Sequence, residues 1–168
     1  MNTQSSRPGA ILAICMLVGA VALAYSQTSP TMQKGPAMPA HASGTFEVKL
    51  TPQTDDKGDP ALGRMLVDKQ FHGELEGTSK GQMLTAGSAE GSGVYVAVEK
   101  VTGTLHGRTG TFVLHHSGIM TRKVPQLSIN VVPDSGTGQL SGITGKMNII
   151  ITNGKHSYEF EYTLPEAQ

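Results

Sequence analysis

Residues 44–164 alternate between apolar and polar side chains with a period of two, and glycine-marked turns separate the alternating runs. This pattern is typical of half-buried β-strands, whose successive side chains point to opposite faces. The spacing of an amphipathic helix is not sustained in this region. The pattern predicts eight strands, at residues 45–50, 65–76, 81–87, 94–105, 111–116, 127–132, 146–152 and 155–163. The sequence therefore predicts an all-β domain.

A sequence repeat supports this prediction. The pattern G-x-L-x-G-x-T-G-x-Φ-x-Φ, in which Φ is apolar, occurs at residues 103–114 and again at residues 138–149. Glycine accepts the positive φ that tight turns require. Each copy therefore predicts a hairpin made of a strand, a tight turn and a returning strand.

The first copy also predicts a register. If residues 107–110 form a four-residue loop, Leu105 lies opposite Phe112 and Val101 lies opposite His116. Side chains on one face then alternate along both strands. The predicted inward face is apolar with a few polar members: Tyr95, Ala97, Glu99, Val101, Leu105, Phe112, Leu114 and His116.

Two further features bear on this assignment of faces. Asn153-Gly154 is typical of a type I′ hairpin turn and predicts that Ile151 lies opposite His156. The outward face carries Val94, Val96 and Val98, so this strand is apolar on both sides. Either another subunit or segment covers the strand, as in a homo-oligomer, or the predicted register is wrong by one residue.

The N-terminal region predicts export. Residues 10–24 are apolar or small, a run that is short for a spanning helix but typical of a signal-peptide core. We predict a cleaved signal peptide at 1–24, a flexible linker at 25–43, a barrel domain at 44–164 and a tail at 165–168. The predicted location is periplasmic or secreted, with no membrane association after cleavage. An uncleaved N-terminal anchor is the alternative.

Composition excludes several classes of function. The chain has 13 Lys plus Arg and 13 Asp plus Glu, so it lacks the basic excess of a nucleic-acid-binding surface. Cys15 is the only cysteine and lies in the predicted signal peptide, so the mature domain has no disulfide or thiolate chemistry. No histidine or cysteine motif with metal-ligand spacing occurs. We therefore predict no metal and no cofactor.

Three linked segments resemble a known bacterial family. Residues 99–105 (EKVTGTL), 107–118 (GRTGTFVLHHSG) and 131–142 (VVPDSGTGQLSG) resemble the central motifs of domain-of-unknown-function family 3224, DUF3224. The similarity spans residues 44–164. This family in turn resembles the allene oxide cyclase type of barrel. The resemblance implies a small closed antiparallel β-barrel of about eight strands with an internal cavity, and it implies no activity.

Four residues of the predicted inward face are candidates for ligand binding: Glu99, His116, Tyr95 and Phe112. The predicted register makes Glu99 and His116 diagonal neighbours on adjacent strands. A buried carboxylate near an imidazole is the arrangement from which binding or acid–base sites are built. The alternative interpretation is structural, with Glu99 cross-linking the barrel end and His116 a hydrogen-bonded core histidine.

The sequence leaves three functions open. A barrel of this size can hold a small apolar or amphipathic molecule, which is the function we favour. Fold analogy alone suggests the second, a cyclase or isomerase that uses Glu99 and His116. The third is a filled barrel that acts as a protein-interaction module through its outer valines.

Overall fold

The computed structural model describes residues 39–54, 58–59, 61–88 and 90–165. These residues form nine strands and no helix, so nothing in the described part is a helix that could cross a membrane. The all-β prediction is confirmed. The strands are β1 (Ala40–Gln53), β2 (Leu62–Gly73), β3 (Leu75–Gly87), β4 (Gly93–Leu105), β5 (Arg108–Thr121), β6 (Val124–Val131), β7 (Thr137–Gly138), β8 (Thr144–Thr152) and β9 (Lys155–Thr163).

Eight strands close into an antiparallel barrel, as predicted. The order around the barrel is β1-β2-β3-β4-β5-β6-β8-β9, and β9 pairs back to β1. The additional strand β7 pairs with β5 at Gly110 and Thr111. The weakest junction lies between β6 and β8, where the only pair among the described residues is Asn130 with Lys146.

The predicted register between β4 and β5 is wrong by four residues. The strands are joined by a two-residue turn, His106-Gly107, so Leu105 pairs with Arg108 and Val101 with Phe112. Both turn residues have positive φ, 46° and 79°, as in type I′ turns, whose twist matches that of the flanking strands. Because four is an even number, every side chain stays on its predicted face.

Two predicted boundaries also differ from the structure. The predicted strand 65–76 is divided at Gly73, whose φ of 110° turns the chain from β2 into β3. β1 begins at Ala40, so residues 40–43, which we assigned to the linker, belong to the barrel. Ala42 is fully buried opposite Phe160, although the small residues around it gave no alternation. Residues 1–38 and 166–168, with the predicted signal peptide, lie outside the described residues.

The second copy of the repeat does not form a hairpin. Its first strand, β7, pairs with β5, whereas β8 pairs with β6 and β9. The intervening turns direct Leu140 and Ile143 into the core, where both are buried. By contrast, the Asn153-Gly154 hairpin has the predicted register, with Ile151 opposite His156.

The hydrophobic core occupies the end of the barrel that holds the β4–β5 turn. Leu105 and Phe112 lie there together with Leu140 and Ile143, and all are buried. Phe112 stacks on Phe160 with ring centroids 5.6 Å apart. On the outside of the barrel, Val94, Val96 and Val98 are exposed as predicted. The opposite end of the barrel interior contains a cavity.

Candidate functional site

The cavity has a volume of about 310 Å³ and lies inside the barrel at the end opposite the core. Its walls are mostly apolar and come from strands all around the barrel, for example Phe46, Val48, Met83, Ala97, Leu127 and Ile149. A concave, mainly apolar volume of this size with a few polar groups is typical of small-molecule sites. The polar groups are therefore the chemically informative part of the lining.

Lys69 and Glu99 form a buried ion pair on the cavity wall. Lys69 Nζ lies 3.0 Å from Glu99 Oε1 and 2.9 Å from Oε2, and both side chains are at least nine-tenths buried. The ammonium group also lies 5.0 Å from the centroid of the Phe46 ring, a cation–π distance. Two contacts to one carboxylate compensate part of the cost of removing both charges from water.

His116 lies next to this pair without a hydrogen bond to it. Its Nε2 atom is 3.6 Å from Glu99 Oε1, which is longer than a hydrogen bond. Among the described residues this buried nitrogen has no hydrogen-bond partner. Burial raises the pKa of Glu99, but the neighbouring His116 and Lys69 lower it more, so that this pKa lies below its ordinary value. Glu99 is therefore ionised at neutral pH.

A glycine on β3 permits the ion pair to form across that strand. Lys69 lies on β2 and Glu99 on β4, with β3 between them, and Glu99 pairs in register with Gly81. A Cβ atom at Gly81 would lie 2.7 Å from Glu99 Cβ, closer than such atoms approach. The missing side chain at Gly81 therefore leaves room for the Cβ atom of Glu99 on this face of the sheet.

The structure brings three of the four candidate residues together. Glu99, His116 and Tyr95 line the cavity, and Glu99 and His116 are diagonal neighbours as predicted. Burial raises the pKa of Tyr95, with a smaller contribution from the charge of Glu99. Phe112 does not line the cavity: it lies opposite Val101, near the β4–β5 turn, and belongs to the core at that end of the barrel.

Sequence reasoning missed Lys69. Its signal was present in β2, where Val67, Lys69 and Phe71 alternate on one face, so that a lysine stands between two core residues. The polar residues on the other face of the same strand, Asp68 and Gln70, made the segment look solvated. A charged residue in an apolar alternation predicts a buried partner of opposite charge.

A second polar cluster lies at the other end of the barrel, next to the β4–β5 turn. His106 Nδ1 lies 2.6 Å from the Tyr162 hydroxyl, and its Nε2 lies 3.1 Å from Glu74 Oε1. Glu74 also accepts hydrogen bonds from the backbone and hydroxyl of Ser43, at 2.6 and 3.1 Å. The hydrogen bonds from His106 and Ser43 lower the pKa of Glu74 to about 2. This cluster ties β1, the β2–β3 bend and β9 together.

The described part of the chain contains no candidate metal site. No group of three His, Cys, Asp or Glu side chains there could hold a metal ion. The Glu99 and His116 pair is accompanied by a lysine, which is a cation and not a ligand. The cavity thus offers hydrogen bonds and charge to a ligand, together with its apolar walls.

Comparisons with known proteins agree with this architecture. Residues 42–162 match the family model described as "Protein of unknown function (DUF3224)". One match is the crystal structure of a protein of unknown function, from the DUF3224 family, of Shewanella oneidensis MR-1. The sequence of that protein is 48% identical to this chain. The match covers 77% of this chain and 100% of that one, with a TM-score of 0.72. No curated protein matches the chain.

Proposed function

Since this chain belongs to the DUF3224 family, whose description assigns no function, we propose from its own cavity that the barrel binds a small apolar or amphipathic molecule. The observation that carries this proposal is an apolar cavity of about 310 Å³ whose lining includes a buried histidine nitrogen without a hydrogen-bond partner among the described residues. Barrels that only need to be stable fill their interior with side chains. A cavity with one polar region supports a ligand that has an apolar body and one polar group.

The test is a fluorescence titration of the full chain with N-phenyl-1-naphthylamine, a neutral dye that becomes bright in apolar sites. Ala97 lines the cavity and is buried, whereas its neighbour Val96 points outward and is exposed. Ala97→Phe places a ring in the cavity, and Val96→Phe places the same ring outside on the same strand. We expect Ala97→Phe to weaken dye binding by about tenfold or more, because apolar contact area is lost.

Val96→Phe is the matched control and should bind the dye as the wild type does. Thr85→Phe, at a half-buried lining position, gives a second cavity variant in case Ala97→Phe does not fold. Absence of dye binding by the folded wild-type chain, or equal binding by all folded variants, would overturn the proposal. Circular dichroism of each variant establishes folding independently of binding.

We also propose that the protein is exported and cleaved, on the basis of the apolar run at residues 10–24. The test is fractionation of cells that produce either the full chain or a chain without residues 1–24. Export predicts that the full chain leaves the cytoplasm in a shortened form, and that the truncated chain stays there. An uncleaved chain in the membrane fraction, or cytoplasmic retention of both chains, would overturn the proposal.

A further inference from the structure

His116 has an unmet hydrogen-bonding capacity inside the cavity. The side chain is 4% exposed, lines the cavity, and leaves Nε2 without a partner among the described residues. Buried polar atoms in folded proteins are nearly always hydrogen-bonded, and one that is not reduces stability. A ligand atom that pairs with this nitrogen would remove that cost, so the nitrogen marks where a polar ligand group is recognised.

Glu99 restricts what that group can be. His116 Nε2 and Glu99 Oε1 are 3.6 Å apart, so one oxygen atom at ordinary hydrogen-bond distance can lie against both. A hydroxyl group is both a donor and an acceptor, so with the tautomer that carries the proton on Nε2 it accepts from His116 and donates to the carboxylate. Glu99 Oε1 already accepts one hydrogen bond from Lys69, and a carboxylate oxygen can accept a second.

Other oxygen groups fit less well. An ether or ester oxygen accepts from His116 but has no proton to give to Glu99. A carboxylate would bring a second negative charge against Glu99, and the ammonium group of Lys69 already contacts both Glu99 oxygens. Like charges at this distance in a poorly solvated site repel each other strongly.

We propose that the cavity selects neutral, hydroxyl-bearing apolar molecules, and that the hydroxyl bridges His116 Nε2 and Glu99 Oε1. The proposal rests on the proposed function, because it concerns the ligand of the same cavity. It names a chemical class, the apolar alcohols, and separates that class from ethers and carboxylates of the same carbon skeleton.

The experiment is displacement of N-phenyl-1-naphthylamine from the full chain by three matched probes at neutral pH. These probes are 1-octanol, its methyl ether 1-methoxyoctane, and octanoate. We expect octanol to displace the dye at about tenfold lower concentration than the ether, which is the effect of one additional buried hydrogen bond. Octanoate should be the weakest of the three.

Variants of His116 and Glu99 test whether these two residues recognise the probes, or whether the probes bind through hydrophobicity alone. His116→Phe keeps an aromatic ring but removes the nitrogen from which both octanol and the ether accept a hydrogen bond, so both probes should need higher concentrations to displace the dye than in the wild type. His115→Phe is the matched control, since His115 is the next residue and points outward, and both probes should displace the dye from it as they do from the wild type. In Glu99→Gln the repulsive charge is gone, so octanoate should gain affinity relative to octanol. This second readout applies even if His116→Phe fails to fold.

The outcomes distinguish the two proposals. If the dye itself does not bind, the proposed function fails. If the dye binds but octanol does not displace it, or does so no better than the ether or octanoate, the alcohol selectivity is overturned and cavity binding stands. Displacement by octanol and by the ether that stays at the wild-type level in folded His116→Phe would also overturn it.

Discussion

Tyr95 and Gly118 pair in register on β4 and β5, and the tyrosine ring lies directly over the glycine. A Cβ atom at Gly118 would lie 2.1 Å from Tyr95 Cε1, so no other residue fits beneath the ring in its present position. Tyr95 lines both the interior cavity and a neighbouring groove of about 260 Å³. The ring therefore forms a wall between the two spaces.

The first prediction concerns this wall. Gly118→Ala should displace the Tyr95 ring, lower stability by about 1–3 kcal/mol through overpacking, and change dye affinity. The measurements are chemical denaturation and the dye titration described above. In a Tyr95→Ala background the added methyl group has nothing to displace, so the same Gly118→Ala change should have little effect there. An equal loss in both backgrounds would show that the ring is not involved.

The second prediction concerns the buried ion pair. Lys69→Met leaves the Glu99 carboxylate buried without its cation, which should lower the free energy of unfolding by about 3–5 kcal/mol. Adding Glu99→Gln should recover much of this loss, because no unpaired charge then remains. Denaturant titration of the two single variants and the double variant gives the coupling directly.

The control for the ion pair is Lys80→Met. Lys80 also pairs with a carboxylate, that of Asp68 at 3.0 Å, but its side chain is 86% exposed. Exposed pairs contribute at most about 1 kcal/mol, so this variant should stay close to wild type. A Lys69→Met protein as stable as Lys80→Met would mean that Glu99 is protonated or solvated in the folded state.

The third prediction is an acid sensitivity that originates at Glu74. Its pKa is lowered from 4.5 to about 2 in the folded chain, by the hydrogen bonds from His106 and Ser43. A carboxylate with a lowered folded-state pKa contributes stability above its unfolded pKa and loses it as the pH falls. Stability should therefore decline between about pH 4.5 and pH 2 in the wild type.

Glu74→Gln should flatten the dependence of the denaturation midpoint on pH in this window. Glu159→Gln, which removes an exposed carboxylate on β9, is the matched comparison and should keep the wild-type slope. If both variants show the same acid dependence as the wild type, the contacts of Glu74 contribute nothing to stability.

The alternation of side chains was sufficient to predict the fold class and the inward positions of Glu99 and His116. It could not determine the register between β4 and β5, because three glycines, Gly103, Gly107 and Gly110, could each take part in a tight turn. The positive φ of His106 is decided by strand twist, which the residue types do not reveal. The even register difference keeps both side chains on one face, and because the difference is four, the pair remains diagonal, with Glu99 opposite Leu114 and not opposite Gly118.

Lys69, the partner of Glu99, was not predicted, for a different reason. Lys69 is far from Glu99 in sequence, and the two meet across β3, where Gly81 leaves room for the Cβ atom of Glu99. Pattern analysis finds that a residue faces inward, but it does not say which inward residues are level around a closed barrel. The position of Phe112 in the core, away from the cavity, has the same origin.

Among the described residues one register pair joins β6 to β8, and we expect the barrel to open most easily at this junction. β4 and β5 are hydrogen-bonded from Gly93 to Leu105, whereas β6 and β8 are held at Asn130 and Lys146. Local opening is cheapest where the fewest backbone hydrogen bonds must break. Backbone amides of β6 and β8 should therefore exchange with deuterated solvent before those of β4. Leu127 and Ile149 line the cavity on either side of this junction, so transient separation there gives solvent a lateral route inside.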